Sequence, residues 1–294
     1  MRTVSIVAAL VSLTAAAACS AADFERKVAA DPRGSVEISN VAGRLSVAGW
    51  DRQEIVVTAT FGSGVERIDV TQSGKRTVIR VVLPRGGVRR GDADVEVRVP
   101  LQSDVDVTTV SADLSTTSLL GPQRLKTVSG DIRAELSDAE FEGKTVSGDV
   151  RVSGKSQKAD LRVSSVSGDI VVDRAAGDID ATTVSGDLRL ELDPADGVRM
   201  RTTSGDLIFR GSLAKGATLD AETISGDVTV RARGGAGFGY EVTSFSGDIG
   251  NCFGERAEAT SRHGPGSRLT GTAGAGDARV RVKSMSGDVE ICDR

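Results

Sequence analysis

The sequence predicts an all-β fold: a parallel β-solenoid of about nine to ten coils of 18–21 residues, with an N-terminal antiparallel β cap. Three observations predict it: a tripeptide repeats at nearly even spacing, short runs alternate apolar and polar residues, and helical periodicity is absent beyond the first residues. The tripeptide is Ser-Gly-Asp, and the serines of its eight copies are Ser129, Ser147, Ser167, Ser185, Ser204, Ser225, Ser246 and Ser286. Successive serines lie 18, 20, 18, 19, 21, 21 and 40 residues apart, so the last step spans two ordinary ones. A repeat of this period is typical of a solenoid, in which every coil presents the same side chain at the same surface point.

The repeat extends beyond the tripeptide. An aliphatic residue always follows the aspartate, an apolar residue usually precedes the serine, and Thr or Ser always stands two residues before it. Because side chains alternate across a strand, we expect Val146 and Val150 to face the core and Asp149 to face solvent. The upstream strand alternates in the opposite phase, so Thr183 and Val184 are both expected to face inward. A phase slip at a fixed place in every repeat indicates a corner or a bulge between two short strands.

The solenoid is expected to occupy residues 105–294, and residues 23–104 to form the N-terminal β cap region. In the cap region, longer alternating runs at 54–60 and 76–83 are separated by turns that contain Gly or Asp. Antiparallel strands there would cover an edge that could otherwise pair with other chains. An imperfect copy of the repeat at 109–114 has Ala in the Gly position, so small size is expected to matter more there than a positive φ.

Residues 1–22 read as a signal peptide. Arg2 supplies the positive charge, residues 4–13 form an apolar stretch, and residues 15–22 are small side chains suited to cleavage. The apolar stretch is shorter than the roughly 20 residues that a membrane span needs. We therefore expect an exported protein, periplasmic or associated with the cell envelope, with lipid anchoring through Cys19 as the alternative to ordinary cleavage.

Composition argues against several functions. The net charge is −4, acidic and basic residues are interleaved, and aromatic residues make up 3% of the chain. Without a basic run or aromatic platforms, nucleic acid is not expected as a partner. No cofactor motif stands out, and the single histidine, His263, lies in a glycine-rich loop without a recognisable nucleophile beside it. The sequence therefore predicts a protein that is not an enzyme and carries no cofactor.

Cys252 and Cys292 are expected to form a disulfide. Both lie six residues after a repeat serine, so they occupy the same point on their coils. Adjacent coils lie about 4.8 Å apart, which suits the Cα separation of a disulfide, whereas a gap of two coils would be too long. The pairing predicts that residues 254–276 are largely an insertion rather than a full extra coil. The alternative is two unpaired small apolar side chains.

The most regular outward column is the aspartate of each repeat. Its members are Asp131, Asp149, Asp169, Asp187, Asp206, Asp227, Asp248 and Asp288. Stacked carboxylates either bind calcium or accept hydrogen bonds from backbone amides and the serine hydroxyl near their own turn. With one Asp per coil, the hydrogen-bonding role is the preferred interpretation. Arg133, Arg151 and Arg189 follow their aspartates by two residues, and they would give this face mixed charge.

The chain resembles the "putative adhesin" family of bacterial β-strand-repeat envelope proteins, a domain of unknown function. The resemblance rests on the opening Val-Ala-Gly-Arg-Leu-Ser-Val at 41–47, on Gly-Trp-Asp at 49–51, and on the Thr-Val-Ser-Gly-Asp repeats with their following aliphatic residue. It extends over nearly the whole chain after the signal segment. It implies an exported envelope protein without catalytic activity, and it brings no site residues with it.

The function expected is that of a structural or adhesion module of the envelope, which binds through the Ser/Asp/Arg face by repeated weak contacts. The expected partner is an envelope polysaccharide, lipid head groups or an envelope protein. Two alternatives stay open. One is a β-helix enzyme that acts on polysaccharide with carboxylates near residues 254–276, which a cleft lined by two acids would favour and a bare rod would oppose. The other is a calcium-binding solenoid, whose melting temperature would rise with calcium.

Overall fold

The computed structural model describes residues 24–62, 64–84, 91–155, 158–233, 237–260 and 265–293. The segment 1–22, with Cys19, and the loop histidine His263 lie outside these residues. The described residues form 22 strands in one sheet with mostly parallel pairings and no helix, so none could cross a membrane as a long apolar helix. The first seven strands are β1 (Phe24–Ala29), β2 (Ser35–Trp50), β3 (Glu54–Phe61), β4 (Arg67–Ser73), β5 (Arg76–Val82), β6 (Asp92–Pro100) and β7 (Asp104–Thr117). The next seven are β8 (Gln123–Lys126), β9 (Ile132–Glu135), β10 (Phe141–Lys144), β11 (Val150–Ser153), β12 (Lys158–Ser164), β13 (Ile170–Thr182) and β14 (Leu188–Ser204). The last eight are β15 (Leu207–Ser225), β16 (Val228–Arg233), β17 (Phe238–Ser246), β18 (Ile249–Asn251), β19 (Glu258–Ala259), β20 (Ser267–Ala273), β21 (Ala278–Ser286) and β22 (Val289–Cys292).

Through the middle of the chain the repeats stack in parallel and in register. Ser147 pairs with Ser167, Ser167 with Ser185, and Ser185 with Ser204. The strands on either side keep the same register, as in the pairing of Val150 with Ile170. The predicted parallel β-solenoid is confirmed in its class: the described chain is all-β, repeat-built and mostly parallel.

The core is a stack of aliphatic side chains enclosed by the two strand faces of each coil. In one coil, Leu188 and Leu190 come from the strand after the aspartate, and Val198 and Met200 come from the strand that leads to the next serine. All four are almost fully buried. Both segments belong to β14, and its register with β15 shifts between Leu192 and Gly197, where the chain bends and encloses the core from a second side.

The N-terminal end departs from the prediction. At this end of the described chain, antiparallel pairing is confined to β1 with β3, β3 with β6, and β4 with β5. Strand β2, which was expected in the antiparallel cap region, instead pairs in parallel with β7 on one side and with β5 and β6 on the other. The reason is a degenerate repeat: Asn40 pairs with Thr109, Gly43 with Ala112, and Leu45 with Leu114. Ala42 and Arg44 stand in the Ser and Asp positions of this copy, so it lacks the tripeptide that marks the other repeats.

The C-terminal end shows a second departure, because spatial order differs from chain order. Strand β21 pairs with β15 on one side and β17 on the other, and β22 lies likewise between β16 and β18. The last coil of the chain, which contains β21 and β22, thus lies between the coil of β15 and β16 and the coil of β17 and β18. Residues 254–276 contain β19 and β20, and β20 pairs antiparallel with the outer edge of β17.

The inserted segment is held by a disulfide. Cys252 and Cys292 are bonded, with their Cα atoms 5.0 Å apart, as predicted from their equal positions in the repeat. The two cysteines lie on adjacent coils because β22 runs directly beside β18.

The observed order preserves a column of alternating charge. Five residues before each serine, paired positions alternate in charge from strand to strand in the order Asp106, Arg124, Glu142, Arg162, Asp180, Arg199, Asp220, Arg281 and Glu241. The Arg281 guanidinium lies 3.6 Å from Asp220 and 3.9 Å from Glu241. Stacking in chain order would instead place Asp220 beside Glu241, and like charges on directly opposed positions are destabilising.

The Gly position of the repeat is fixed by a close approach between coils. A Cβ atom on Gly168 would lie 2.0 Å from the carbonyl oxygen of Gly148, a separation that no side chain permits. Gly168 has no left-handed φ, whereas Gly226, farther along, has a φ of +138° as well as the same close approach. Lack of space therefore operates at both positions, and backbone conformation adds to it at Gly226.

We expect Gly168→Ala to lower the free energy of unfolding by about 1–3 kcal/mol, because the two coils must separate to admit the methyl group. Gly62→Ala is the matched control, since a Cβ there meets nothing within 4 Å. Urea midpoints of the two variants measure the difference. Equal midpoints would show that the coils are not packed against each other at this position.

We expect Arg281→Glu to destabilise the chain by about 1 kcal/mol more than Arg279→Glu, because it would place three acids side by side. The control lies in the same strand, but its paired residues Thr218 and Gly239 are uncharged. The difference between the urea midpoints should shrink as salt is added. A difference that does not change with salt would argue against an electrostatic role for the column.

Candidate functional site

The aspartate column is a ladder of hydrogen bonds between coils. The Oδ1 atom of each aspartate accepts the backbone N–H of the aspartate on the next coil, as in the 2.9 Å bond from Asp187 N–H to Asp169 and the 2.8 Å bond from Asp206 N–H to Asp187. The same bond links the aspartates from Asp113 through Asp227 and continues to Asp288 and then Asp248, in spatial order. The carboxylates thus accept backbone amides, as the preferred interpretation holds, but from the neighbouring coil rather than from their own turn.

The arginines of this face are partly engaged by the same carboxylates. Arg133 donates to the Oδ2 atom of Asp131 at 2.9 Å, and Arg151 donates to that of Asp149 at 3.0 Å. Arg189 lies in the same column, paired with Val171 and Ile208. On two coils, therefore, both oxygens of the aspartate have a protein partner before any ligand binds.

The Thr or Ser that stands two residues before each repeat serine points inward. Thr183 donates from its hydroxyl to the Gly168 carbonyl oxygen at 3.3 Å, and Thr202 donates to that of Gly186 at 3.3 Å. These side chains are buried, as expected for Thr183. They tie the corner of one coil to the glycine of its neighbour.

The residue before each serine was expected to face the core, and this prediction is wrong. Val146 and Val184 are each 45% exposed, and Phe245 and Met285 are each 57% exposed. The alternation of the upstream strand simply continues through this residue, so a buried Thr is followed by an outward Val. The phase slip lies one step later, between the apolar residue and the serine, where both side chains point outward.

These outward residues form a column that we call the apolar ridge. In spatial order it runs through Val110, Val128, Val146, Val166, Val184, Thr203, Ile224, Met285 and Phe245. A row of solvent-exposed apolar side chains, interrupted here only by Thr203, is unusual on a protein surface. The sequence contains the column, but strand alternation counted from the serine assigned it to the wrong side.

Beside the C-terminal part of the ridge lies a groove of about 740 Å³, which we call the ridge groove. One wall is the ridge from Val184 to Phe245, and the floor is the row of buried Thr and Ser residues. The opposite wall carries Arg201, Glu222 and Lys283, with the carboxylate of Glu222 3.4 Å from Arg201 and 3.2 Å from Lys283.

A second groove, of about 800 Å³, lies on the face next to residues 254–276 and contains two acids, Glu241 and Asp277. A cleft lined by two acids is the feature that would favour a polysaccharide-acting enzyme, and this groove has it. However, Glu241 is already ion-paired with Arg268 at 2.8 Å and with Arg281 at 3.9 Å. Its carboxylate therefore serves the charged column as well as lining the groove.

Metal-ligating side chains come together at one place in the described chain, where Cys252, Cys292 and Glu290 meet. The two cysteines are joined in the disulfide, so their sulfur atoms are not thiolate ligands. The aspartate column contributes one carboxylate per coil, and the Oδ1 atoms are used between coils.

The fold and these columns define a repeat-built β-solenoid with a hydrogen-bonded acidic face and an apolar ridge. The chain belongs to the Toastrack DUF4097 family, whose model matches residues 32–176, 67–215 and 209–292. The resemblance to the "putative adhesin" family of unknown function is thereby confirmed. No curated protein matches the sequence.

Three solved structures are similar over most of their length. A "putative cell adhesion protein" from Clostridium sporogenes is 8% identical, with a TM-score of 0.26 and coverage of 92% of this chain and 98% of its own. A "putative adhesin" from Parabacteroides merdae is 11% identical, with a TM-score of 0.32 and coverage of 91% and 95%. A "putative lipid binding protein" from Parabacteroides distasonis is 11% identical, with a TM-score of 0.37 and coverage of 91% and 96%.

We expect Asp187→Ala to cost about 1 kcal/mol of stability, because it removes the acceptor of the Asp206 N–H, and Asp187→Asn to cost less, because its amide oxygen can still accept. Thermal melts of both variants, with calcium and with a chelator, measure this. If the carboxylate instead held calcium, the Asn variant would be as unstable as the Ala variant, and calcium would raise the melting temperature of the unmodified chain.

Proposed function

We propose that the chain is an exported, non-enzymatic β-solenoid that acts as a structural or adhesion module of the bacterial cell envelope. The observation that carries the proposal is the use of the repeated polar groups: the aspartates bond to neighbouring coils, and the buried threonines bond to neighbouring glycines. Groups that hold the rod together are not poised to react, but they fix the outward side chains at regular spacing. Such a surface suits binding by many weak, repeated contacts.

Export is part of the proposal and rests on the sequence of residues 1–22 and on the disulfide, which is typical of an oxidising compartment. The expected partner stays an envelope polysaccharide, lipid head groups or an envelope protein. Arg189 and its column, together with the aspartates beside it, would supply the contacts on the polar face.

We expect the purified chain to sediment with isolated envelope material and to release no saccharide into the supernatant. A variant with Ser in place of Arg133, Arg151 and Arg189 should sediment less. The matched control replaces three exposed arginines outside this face, Arg26, Arg80 and Arg279, and therefore loses the same charge. Failure of the unmodified chain to sediment, or an equal loss in both variants, would count against binding through the polar face.

The second candidate function is hydrolysis or cleavage of polysaccharide in the groove that holds Glu241 and Asp277. The groove and its two acids favour it, and the ion pairs of Glu241 oppose it. In the same sedimentation experiment, released saccharide would support the enzyme. A release that disappears in a variant with Glu241→Gln and Asp277→Asn would assign the activity to this groove.

A further inference from the structure

The ridge groove is built differently from the rest of the rod. Along most of its length the apolar ridge consists of valines, but at the C-terminal end Ile224, Met285 and Phe245 replace them. These three side chains are 51%, 57% and 57% exposed, so the chain places its largest outward apolar groups side by side. Thr260 and Ser267 border the same groove. A groove of 740 Å³ is within the range of roughly 300–1,000 Å³ that is typical of small-molecule sites.

The insertion of β21 creates this arrangement. Met285 stands between Ile224 and Phe245 only because β21 pairs with both β15 and β17. In chain order Met285 would lie at the end of the row and not between them. The position of β21 between β15 and β17 therefore sets the spatial order of the coils and also assembles the apolar wall.

The floor of the groove has no free hydrogen-bond donors to offer along its length. The hydroxyls of Thr183, Thr202, Thr223 and Ser244 each donate to a glycine carbonyl oxygen of a neighbouring coil, at 3.3–3.5 Å. A glycan or an extended peptide in this groove would lose water from its hydroxyls or amides without finding partners there, which costs free energy at every group. A hydrocarbon chain needs no partner. The floor thus favours an aliphatic ligand.

The length of the groove is suitable for a long acyl chain. From Val184 to Phe245 the wall spans four steps between strands, or about 19 Å at ~4.8 Å a step. One leaflet of a bilayer contributes about half of a hydrocarbon core ~30 Å thick. An extended acyl chain of ordinary membrane length can therefore lie along the wall.

The charge on the opposite wall selects the head group. Arg201 and Lys283 flank Glu222, which leaves one excess positive charge beside the apolar wall. An anionic head group at the Val184 end of the wall would meet Arg201, which lies on the strand next to Thr182, whereas a cationic one would meet it in repulsion. A second copy of the chain is a weaker candidate, because a wall one side chain wide falls short of the roughly 800 Å² per partner of a standard interface.

We propose that the ridge groove binds a single long-chain fatty acid, with its hydrocarbon chain along the wall from Phe245 through Met285 and Ile224 towards Val184 and its carboxylate at the Val184 end, beside Arg201. The binding site is independent of the envelope role proposed above, and either one can fail without the other.

Titration of the purified chain with hexadecanoate below its critical micelle concentration, followed by calorimetry, tests this site. We expect one molecule to bind per chain. A variant with Ser in place of Ile224, Met285 and Phe245 should bind at least tenfold more weakly. The matched control places Ser at Val128, Val146 and Val166, which lie on the same ridge outside the groove, and should bind as the unmodified chain does.

A variant that should bind more tightly is also needed, because weaker binding in the serine variant could result from misfolding. Thr203 interrupts the apolar wall and is exposed, so Thr203→Ile should tighten the binding of hexadecanoate several-fold. Hexadecyltrimethylammonium has the same tail and the opposite charge, and should bind several-fold more weakly than hexadecanoate.

Four outcomes would overturn the proposal. They are an equal loss of binding in the two serine variants, equal affinity for the anionic and cationic amphiphiles, binding to phosphatidylglycerol vesicles without binding to monomeric hexadecanoate, and a concentration-dependent dimer that the groove variant abolishes. The third would indicate a membrane-facing surface, and the fourth an interface between two copies.

Discussion

The close approach of neighbouring coils at the repeat glycine is the constraint on which the rest of the structure depends. With no room for a Cβ atom above the Gly148 carbonyl, the backbones stack directly at this corner. That contact brings the aspartate of one coil within hydrogen-bonding distance of the next aspartate's N–H, and the buried threonine within reach of a glycine carbonyl. Each coil is thus tied to its neighbour by the same small set of atoms. Because the bonds run between coils, no coil can form them alone, and stability must build up through stacking.

Contacts of this kind do not distinguish one coil from another, so something else must set the order of the coils. The column of alternating charge supplies the difference. Arg281 fits between Asp220 and Glu241, and Lys283, two residues later, lies beside Glu222. Exposed ion pairs stabilise a fold little, but the wrong order would place Asp220 directly beside Glu241 and leave both without Arg281. The disulfide between Cys252 and Cys292 then fixes the inserted segment covalently.

The sequence alone predicted the features that recur in every coil, but not those that depend on the spatial order of the coils. The serine spacing predicted the parallel stack, and the equal positions of Cys252 and Cys292 predicted their bond. The insertion of β21 was not predicted, because Ser246 and Ser286 carry the same motif and the motif alone does not tell which coil lies next to Ser225. The outward ridge was misassigned for a different reason: alternation was counted back from Ser147, across the step where the phase slips. A usable signal for the spatial order of the coils was present five residues before each serine, where every copy is charged.

The two outward faces of the solenoid differ in how many of their groups are already bonded within the protein. On the polar face, Asp131 and Asp149 already accept a backbone amide and an arginine, so a ligand must compete with bonds that hold the rod together. The apolar ridge makes no such bonds, and its exposure costs free energy that a ligand could recover. Where the ridge widens at Ile224, Met285 and Phe245, the polar groups of the floor are satisfied from within. A surface with an apolar wall and no hydrogen-bonding groups free along its floor discriminates against polar ligands. Their polar groups would stay unpaired in the groove, and this lowers their affinity relative to an apolar ligand.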